Sequence, residues 1–181
     1  MSSVIFLHGT SSSGKSTIAK SLQTQLDLPF WHFSSDKMIE SDMLPQRSND
    51  NSAFDWKINR PLFFNAFHGC ITAILDTGNN MILDHIIESH EWYLDLQLSL
   101  SKHDVFFTAI HCPISVLRER EIYREDRYIG NRYIGEAEYH LQHVHTYSKY
   151  DFEIDSSKQP VEMTAGLIID AWINRERSVF F

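Results

Sequence analysis

One octapeptide constrains this chain more than any other stretch: Gly9-Thr10-Ser11-Ser12-Ser13-Gly14-Lys15-Ser16. It fits G-x-x-x-x-G-K-[ST], a pattern that works only between a strand and a helix. The flanks supply both. Val4-Ile5-Phe6-Leu7 is an apolar run of strand length, and Ile18, Leu22 and Leu26 recur at four-residue spacing behind the motif. A glycine-rich turn between them presents backbone N–H groups as an anion cradle. The helix N-terminus adds about half a positive charge. Lys15 can reach the β- and γ-phosphates of a nucleoside triphosphate, and the Ser16 hydroxyl is a ligand for Mg2+. Gly9, Thr10, Ser11, Ser12, Ser13, Gly14, Lys15, Ser16 and Thr17 are therefore the expected ATP contacts.

Further apolar runs read as strands at Leu28–Phe33, Met81–Leu83, Val105–His111 and Phe152–Ile154. Helical stripes lie between them: Lys37–Met43, Arg60–Thr77 stopped by Gly78-Asn79, His90–Ser101, one from Cys112-Pro113 towards Arg127, Glu136–Tyr147 and Pro160–Asn174. In the last of these Met163, Leu167, Ile168 and Trp172 read as inward. Strands alternating with helices predict an α/β fold, a doubly wound five-stranded parallel sheet in a three-layer αβα sandwich. The 181 residues, 43% of them hydrophobic, suit one domain over 1–181. Ligands in such a sheet bind at the carboxyl ends of the strands. The most loop-like stretch is 44–55, and two Tyr-Ile-Gly triplets mark 128–135 as a mobile loop.

Composition excludes some classes. A net charge of −8, from 16 basic and 24 acidic residues, argues against a nucleic-acid groove. The apolar N-terminal run is too short for a membrane span or a signal-peptide core, so cytoplasmic residence is expected. Cys70 and Cys112 then read as core thiols. The histidines carry no zinc-site spacing. The oligomeric state is left open.

Three sets of charged residues fall where strands end. Asp36 follows the second strand. A carboxylate there can accept the proton of an attacking hydroxyl beside the P-loop; capping the helix that starts at Lys37 is the competing role. Asp84 ends the third strand, the place of a carboxylate that holds Mg2+ with Ser16. His85 and Glu88 beside it face either the acceptor or solvent. Arg120, Arg124 and Arg127 share one helix face, with Arg118 and Arg132 nearby. Arginine forks match the charge that phosphoryl transfer spreads over oxygens, although Glu119, Glu121, Glu125 and Asp126 also fit a salt-bridged surface helix. Met38, Ile39, Met43, Leu44, Phe54 and Trp56 offer an apolar acceptor pocket or ordinary core.

The order of these segments resembles the chloramphenicol phosphotransferase-like P-loop kinases over most of the chain. The resemblance rests on Gly9–Ser16, on 35–40 around Asp36, on Gly78-Asn79 leading to Ile82-Leu83-Asp84, and on Arg120–Arg127. It rests also on a tail made of His145 and Tyr150-Asp151-Phe152-Glu153-Ile154-Asp155-Ser156-Ser157. It implies a shikimate-kinase-like or nucleotide-kinase-like core, ATP and Mg2+ as cofactors, and γ-phosphate transfer to a hydroxyl of a small molecule, an antibiotic such as chloramphenicol among the candidates. Asp36 then carries over as general base, Lys15 and Ser16 as phosphate and metal contacts. Arg120, Arg124 and Arg127 carry over as arginines of a lid around 120–135. The alternatives are a nucleotide-sugar kinase of the zeta-toxin type, a polynucleotide-end kinase, which the acidic charge disfavours, and a non-catalytic ATP-binding regulator.

Overall fold

A computed structural model describes residues 1–41, 43–45, 54–122, 140–141, 143–146, 149–175, 178 and 180. Five strands form one parallel sheet: β1 (Ser3–His8), β2 (Phe30–Ser34), β3 (Asn80–Asp84), β4 (Asp104–His111) and β5 (Phe152–Asp155). Their order is β2-β3-β1-β4-β5. The helices are α1 (Lys15–Gln25), α2 (Ser35–Glu40), α3 (Trp56–Asp76), α4 (His90–Leu100), α5 (Ile114–Ile122) and α6 (Val161–Asn174).

The period of two along each strand sorts side chains between two cores. Val4, Phe6, Met81, Leu83, Val105 and Phe107 meet α3 and α4 through Phe63, Phe67, Ile71, Tyr93 and Leu96. Ile5, Leu7, Ile82, Phe106 and Ile110 meet α1 and α6 through Ile18, Leu22, Ala165 and Ile168. Sheet strands that read as unbroken apolar runs are buried on both faces, as β1, β3 and β4 are; Trp31 on β2 and Glu153 on β5 are exposed.

Several expectations shift. Helix α3 starts at Trp56, not Arg60: Asp55 caps it by accepting from the Lys57 amide at 2.8 Å, and Pro61 sits inside it. Proline deletes one ladder bond near a helix start, which the stripe of buried phenylalanines outweighs. Gly78 ends the helix as expected, at φ 91°, with its amide on the Leu75 carbonyl. On α6 only Ile168 of the expected inward set is fully buried; Trp172 packs at the core margin, while Met163 and Leu167 are exposed and Thr164 and Ala165 take the inner face. Cys112 is buried, whereas Cys70 is only partly so. His140, Leu141 and His143 are helical; the rest of 136–147 that falls at 136–139, 142 and 147 lies outside the described residues.

Candidate active site

The P-loop runs from the end of β1 to the start of α1. Its two glycines are needed for different reasons. A Cβ on Gly9 would stand 2.4 Å from the Ile110 carbonyl oxygen, so only glycine lets the loop pass β4. Gly14 adopts φ 95°, in the left-handed region that other residues avoid. Ser12 also turns left-handed, at φ 63°. Lys15 is buried and donates through Nζ to the carbonyls of Gly9 (3.0 Å) and Thr10 (2.8 Å). Its ammonium thus lies across the mouth of its own loop.

The hydroxyls of Thr10, Ser12 and Ser13 are buried and find no partner among the described residues. A buried hydroxyl without a partner is costly. Three in one loop, around a buried ammonium and a helix N-terminus, fit a polyanion such as the triphosphate of ATP. Thr17 is exposed at the start of α1.

Ser16 Oγ donates to Asp84 Oδ2 at 2.6 Å. Asp84 is 4% exposed. Burial alone would raise its pKa, but the His32 hydrogen bond, the Lys15 charge and the Ser16 hydroxyl together hold the carboxyl below its usual range. His32 Nε2 lies 3.3 Å from Asp84 Oδ2, and its Nδ1 lies 2.8 Å from Lys37 Nζ. An ammonium can only donate, so Nδ1 accepts and Nε2–H donates to Asp84. A hydroxyl and a carboxylate are the hard oxygen donors Mg2+ takes, usually with phosphate and water. Among the described residues no group of three or more His, Cys, Asp or Glu could hold a metal ion by itself.

Asp36 is the second residue of α2, not its N-cap; Ser34 takes the cap position. The capping role is therefore removed, and Asp36 is half-buried in the first turn. Sheet order also corrects its setting. β3 lies between β2 and β1, so Asp36 stands two strand spacings, about 10 Å, from the P-loop strand rather than beside it.

Next to Asp36, Ser35 Oγ lies 3.4 Å from His85 Nδ1, and His85 Nε2 lies 3.1 Å from His68 Nε2. Burial drives both histidines towards the neutral form: His85 well below its ordinary pKa, His68 down to about 4. Phe64, Phe67 and Trp92 surround this pair. Arg60 lies over the Phe64 ring at 4.8 Å and donates to both Glu88 oxygens, at 2.7 and 2.6 Å. His85 is thus buried and Glu88 half-buried, while the expected apolar pocket divides: Ile39 is buried, Met38, Leu44 and Trp56 pack onto the α3/α4 core, Phe54 is half-buried and Met43 is exposed.

Arg120 lies against the outer side of the P-loop. Its guanidinium donates to the carbonyls of Ser12 (3.4 Å) and Ser13 (3.2 Å), and to Ser156 Oγ (3.1 Å) and O (3.2 Å). Ser156 Oγ donates in turn to the Ser13 carbonyl at 2.6 Å. These bonds tie the Ser12 and Ser13 carbonyls to the α5 and β5 side of the loop. Arg124, Arg127 and Arg132, with 123–135 of the expected lid, lie outside the described residues.

His32, Lys37, His68, Arg60, Ser156 and the His8–Tyr150 pair were not expected here. His32 had one legible signal: it sits two residues before Ser34 and so shares a strand face with it, the face that carries Ile82 and Asp84 on β3. Lys37 adjoins Asp36 in sequence; the others come from distant segments that only the fold joins.

A profile of the family described as chloramphenicol phosphotransferase-like protein matches residues 2–173. Two proteins from strains of Mycobacterium tuberculosis, each named "Putative O-phosphotransferase", are 27% identical over 182 residues, covering 90% of this chain and 78% of theirs. Among solved structures, an APS kinase of M. tuberculosis in complex with AMPPNP and APS superposes with a TM-score of 0.68 at 14% identity, covering 96% of this chain and 98% of that one. A gluconokinase from Sinorhizobium meliloti gives 0.63 at 16%, over 94% and 91%. The tunicamycin resistance protein of Deinococcus radiodurans gives 0.60 at 16%, over 98% of both chains. At these identities the likeness establishes the fold alone. With the family profile spanning nearly the whole chain, this protein belongs to the chloramphenicol phosphotransferase-like family and has the P-loop kinase fold.

Proposed function

We propose that this chain is an ATP-dependent O-phosphotransferase that moves the γ-phosphoryl group to a hydroxyl of a small molecule. The carrying observation is the P-loop with three unpartnered buried hydroxyls beside the Ser16–Asp84 contact. Lys15 neutralises phosphate oxygens as charge shifts towards the leaving group. Ser16 and Asp84 would hold Mg2+, which supplies further neutralisation of the triphosphate when bound. Asp36 takes the proton of the acceptor hydroxyl. The two strand spacings between Asp36 and β1 leave room for that hydroxyl to sit between the base and the phosphate. Arg120 holds the P-loop carbonyls, and Arg124 and Arg127 close over the phosphates as part of a lid at about 120–135. The acceptor lies towards Ser35, His85, His68 and Trp92, where aromatic faces meet neutral imidazoles.

The family name makes an antibiotic hydroxyl, chloramphenicol's first, the leading acceptor. The test is a screen of hydroxyl compounds for acceptor-stimulated ATP consumption, with mass detection of a product that has gained one phosphate. It covers antibiotics with primary hydroxyls, sugars, nucleosides and nucleotide sugars. A phosphorylated nucleotide sugar would favour the zeta-toxin-like alternative. ATP binding with no stimulated turnover by any acceptor would favour a regulator.

A further inference from the structure

The tail segment that follows the lid region makes contacts that the proposed chemistry leaves unused. Tyr150 Oη lies 2.8 Å from His8 Nδ1 and 2.7 Å from His145 Nδ1. His8 is fully buried and immediately precedes Gly9, the first residue of the P-loop. Tyr150 is itself held in place. Its neighbour Asp151 extends the pairing with β4, donating its amide to the Phe107 carbonyl at 2.8 Å and accepting the Phe107 amide at 2.7 Å. The Tyr150 ring packs 4.7 Å from that of Phe107.

The direction of the bridge follows from its inner end. His8 Nε2 faces the Ile87 carbonyl at 3.5 Å, and a carbonyl only accepts. Nε2 therefore carries the His8 proton and Nδ1 is the acceptor. The Tyr150 hydroxyl has one proton, which goes to His8, so it accepts from His145 Nδ1–H. Burial, with the Lys15 charge adding to it, keeps His8 neutral and so preserves this order. A second contact ties the same segment to the loop: the Ser11 amide donates to His140 Nδ1 at 3.3 Å, in a buried position.

We infer that Tyr150 is a positioning residue for nucleotide binding: its hydroxyl, bridging His8 and His145, fixes the strand end that carries the P-loop against the segment that follows the lid region. It touches no substrate. It acts through His8, by holding the strand end from which the P-loop, with its buried unpartnered hydroxyls, departs. Without the bridge, His8 Nδ1 loses its donor inside the protein, the strand end gains alternatives, and binding must order what the native chain holds ready. This inference rests on the ATP reading above.

The test is calorimetric titration of folded protein with AMPPNP plus Mg2+, and separately with adenosine. Tyr150→Phe keeps the ring and removes only the hydroxyl. AMPPNP affinity should fall roughly tenfold, the scale of a buried hydrogen bond with its acceptor left unmet, while adenosine affinity changes less than about twofold. A general loss of stability would lower the folded fraction, not this ratio. His145→Asn retains an N–H donor for Tyr150 and should bind AMPPNP nearly as wild type does. His145→Leu removes the donor to Tyr150 but leaves the Tyr150–His8 bond, so AMPPNP affinity should fall in the same direction by a smaller factor, about threefold; it also carries the test if Tyr150→Phe does not fold. Nitrogen NMR of wild-type His8 should show a protonated Nε2 and an unprotonated Nδ1. Wild-type AMPPNP affinity in Tyr150→Phe, or equal affinities in His145→Leu and His145→Asn, would overturn the inference while leaving the ATP reading intact. A wild-type protein that binds no AMPPNP would overturn both.

Discussion

Ser16 on α1 and Asp84 at the end of β3 are joined by a 2.6 Å hydrogen bond across 68 residues of sequence. Strand parity explains the meeting. Asp84 shares a face with Ile82, which packs into the core formed with α1, so its carboxylate emerges beside the first turn of that helix. Its neighbour His85 takes the other face and joins the aromatic residues of α3 and α4. One residue step along β3 thus separates the proposed metal side of the site from the proposed acceptor side.

Asp84→Asn should raise the Mg2+ concentration needed for half-maximal turnover about tenfold or more, because a neutral amide is a poor ligand for a hard cation. Binding of ATP without Mg2+ should change little. Turnover measured across a Mg2+ titration checks this; an unchanged midpoint would remove Asp84 from the metal site.

Lys15→Ala should weaken triphosphate binding and spare adenosine. Lys15 donates to the Gly9 and Thr10 carbonyls in this structure, and those bonds redirect to phosphate when the loop fills. A charge-assisted contact contributes ~1.5–3 kcal/mol, so ATP affinity should drop by about one to two orders of magnitude. Calorimetry with equal affinities for both proteins would exclude the assignment.

Asp36→Asn should cost ~10²–10⁴-fold in kcat, the usual worth of general-base assistance, with ATP affinity near wild type. Asp36 is not the cap of α2 but an acidic residue in its first turn, so Asp36→Ala should lower stability by at least the helix-dipole contribution, ~0.3–1 kcal/mol. Full turnover of the Asn variant on a confirmed acceptor would show that the carboxylate is not the base.

Acid should destabilise the fold before most carboxylates titrate. His8 and His85 are held well below their ordinary pKa by burial, and His68 and His145 are held at about 4 by the same cause. Between pH 6.5 and about 4 the unfolded chain therefore binds protons that the folded chain does not. Stability rises with pH wherever the unfolded state binds more protons, so it is complete above about 6.5 and falls as the pH drops through this window. Asp84, with its lowered pKa, adds a loss in the same direction at still lower pH. Melting temperatures recorded from pH 7.5 to 4.5 should decline steadily; a flat profile would mean that these imidazoles are not buried neutral.

Much of the architecture is legible in local sequence because its determinants are local. The P-loop, the apolar strand runs and the Gly78 stop each act within a few residues. Where the reading missed, a specific contact outweighed a local rule. Arg60 reads as the helix start, yet the Asp55 cap and the packing of Trp56 on Phe63 begin α3 at Trp56. Leu167 is as apolar as Ile168, but only one of them meets Ile18 and Leu22 across α1.

The sequence by itself determined the parallel αβ alternation, the P-loop and the strand-end placing of Asp36 and Asp84, since period, turn chemistry and motif spacing are properties of neighbouring residues. The tertiary structure alone decided which ends lie side by side. Strand order put β3 between Asp36 and the P-loop. It also carried His32 to Asp84, Arg120 and Ser156 to the back of the loop, and Tyr150 to His8. These pairs are 52 to 143 residues apart. No local propensity encodes such pairings; they exist because burying both faces of one sheet brings distant chain segments to the same edge.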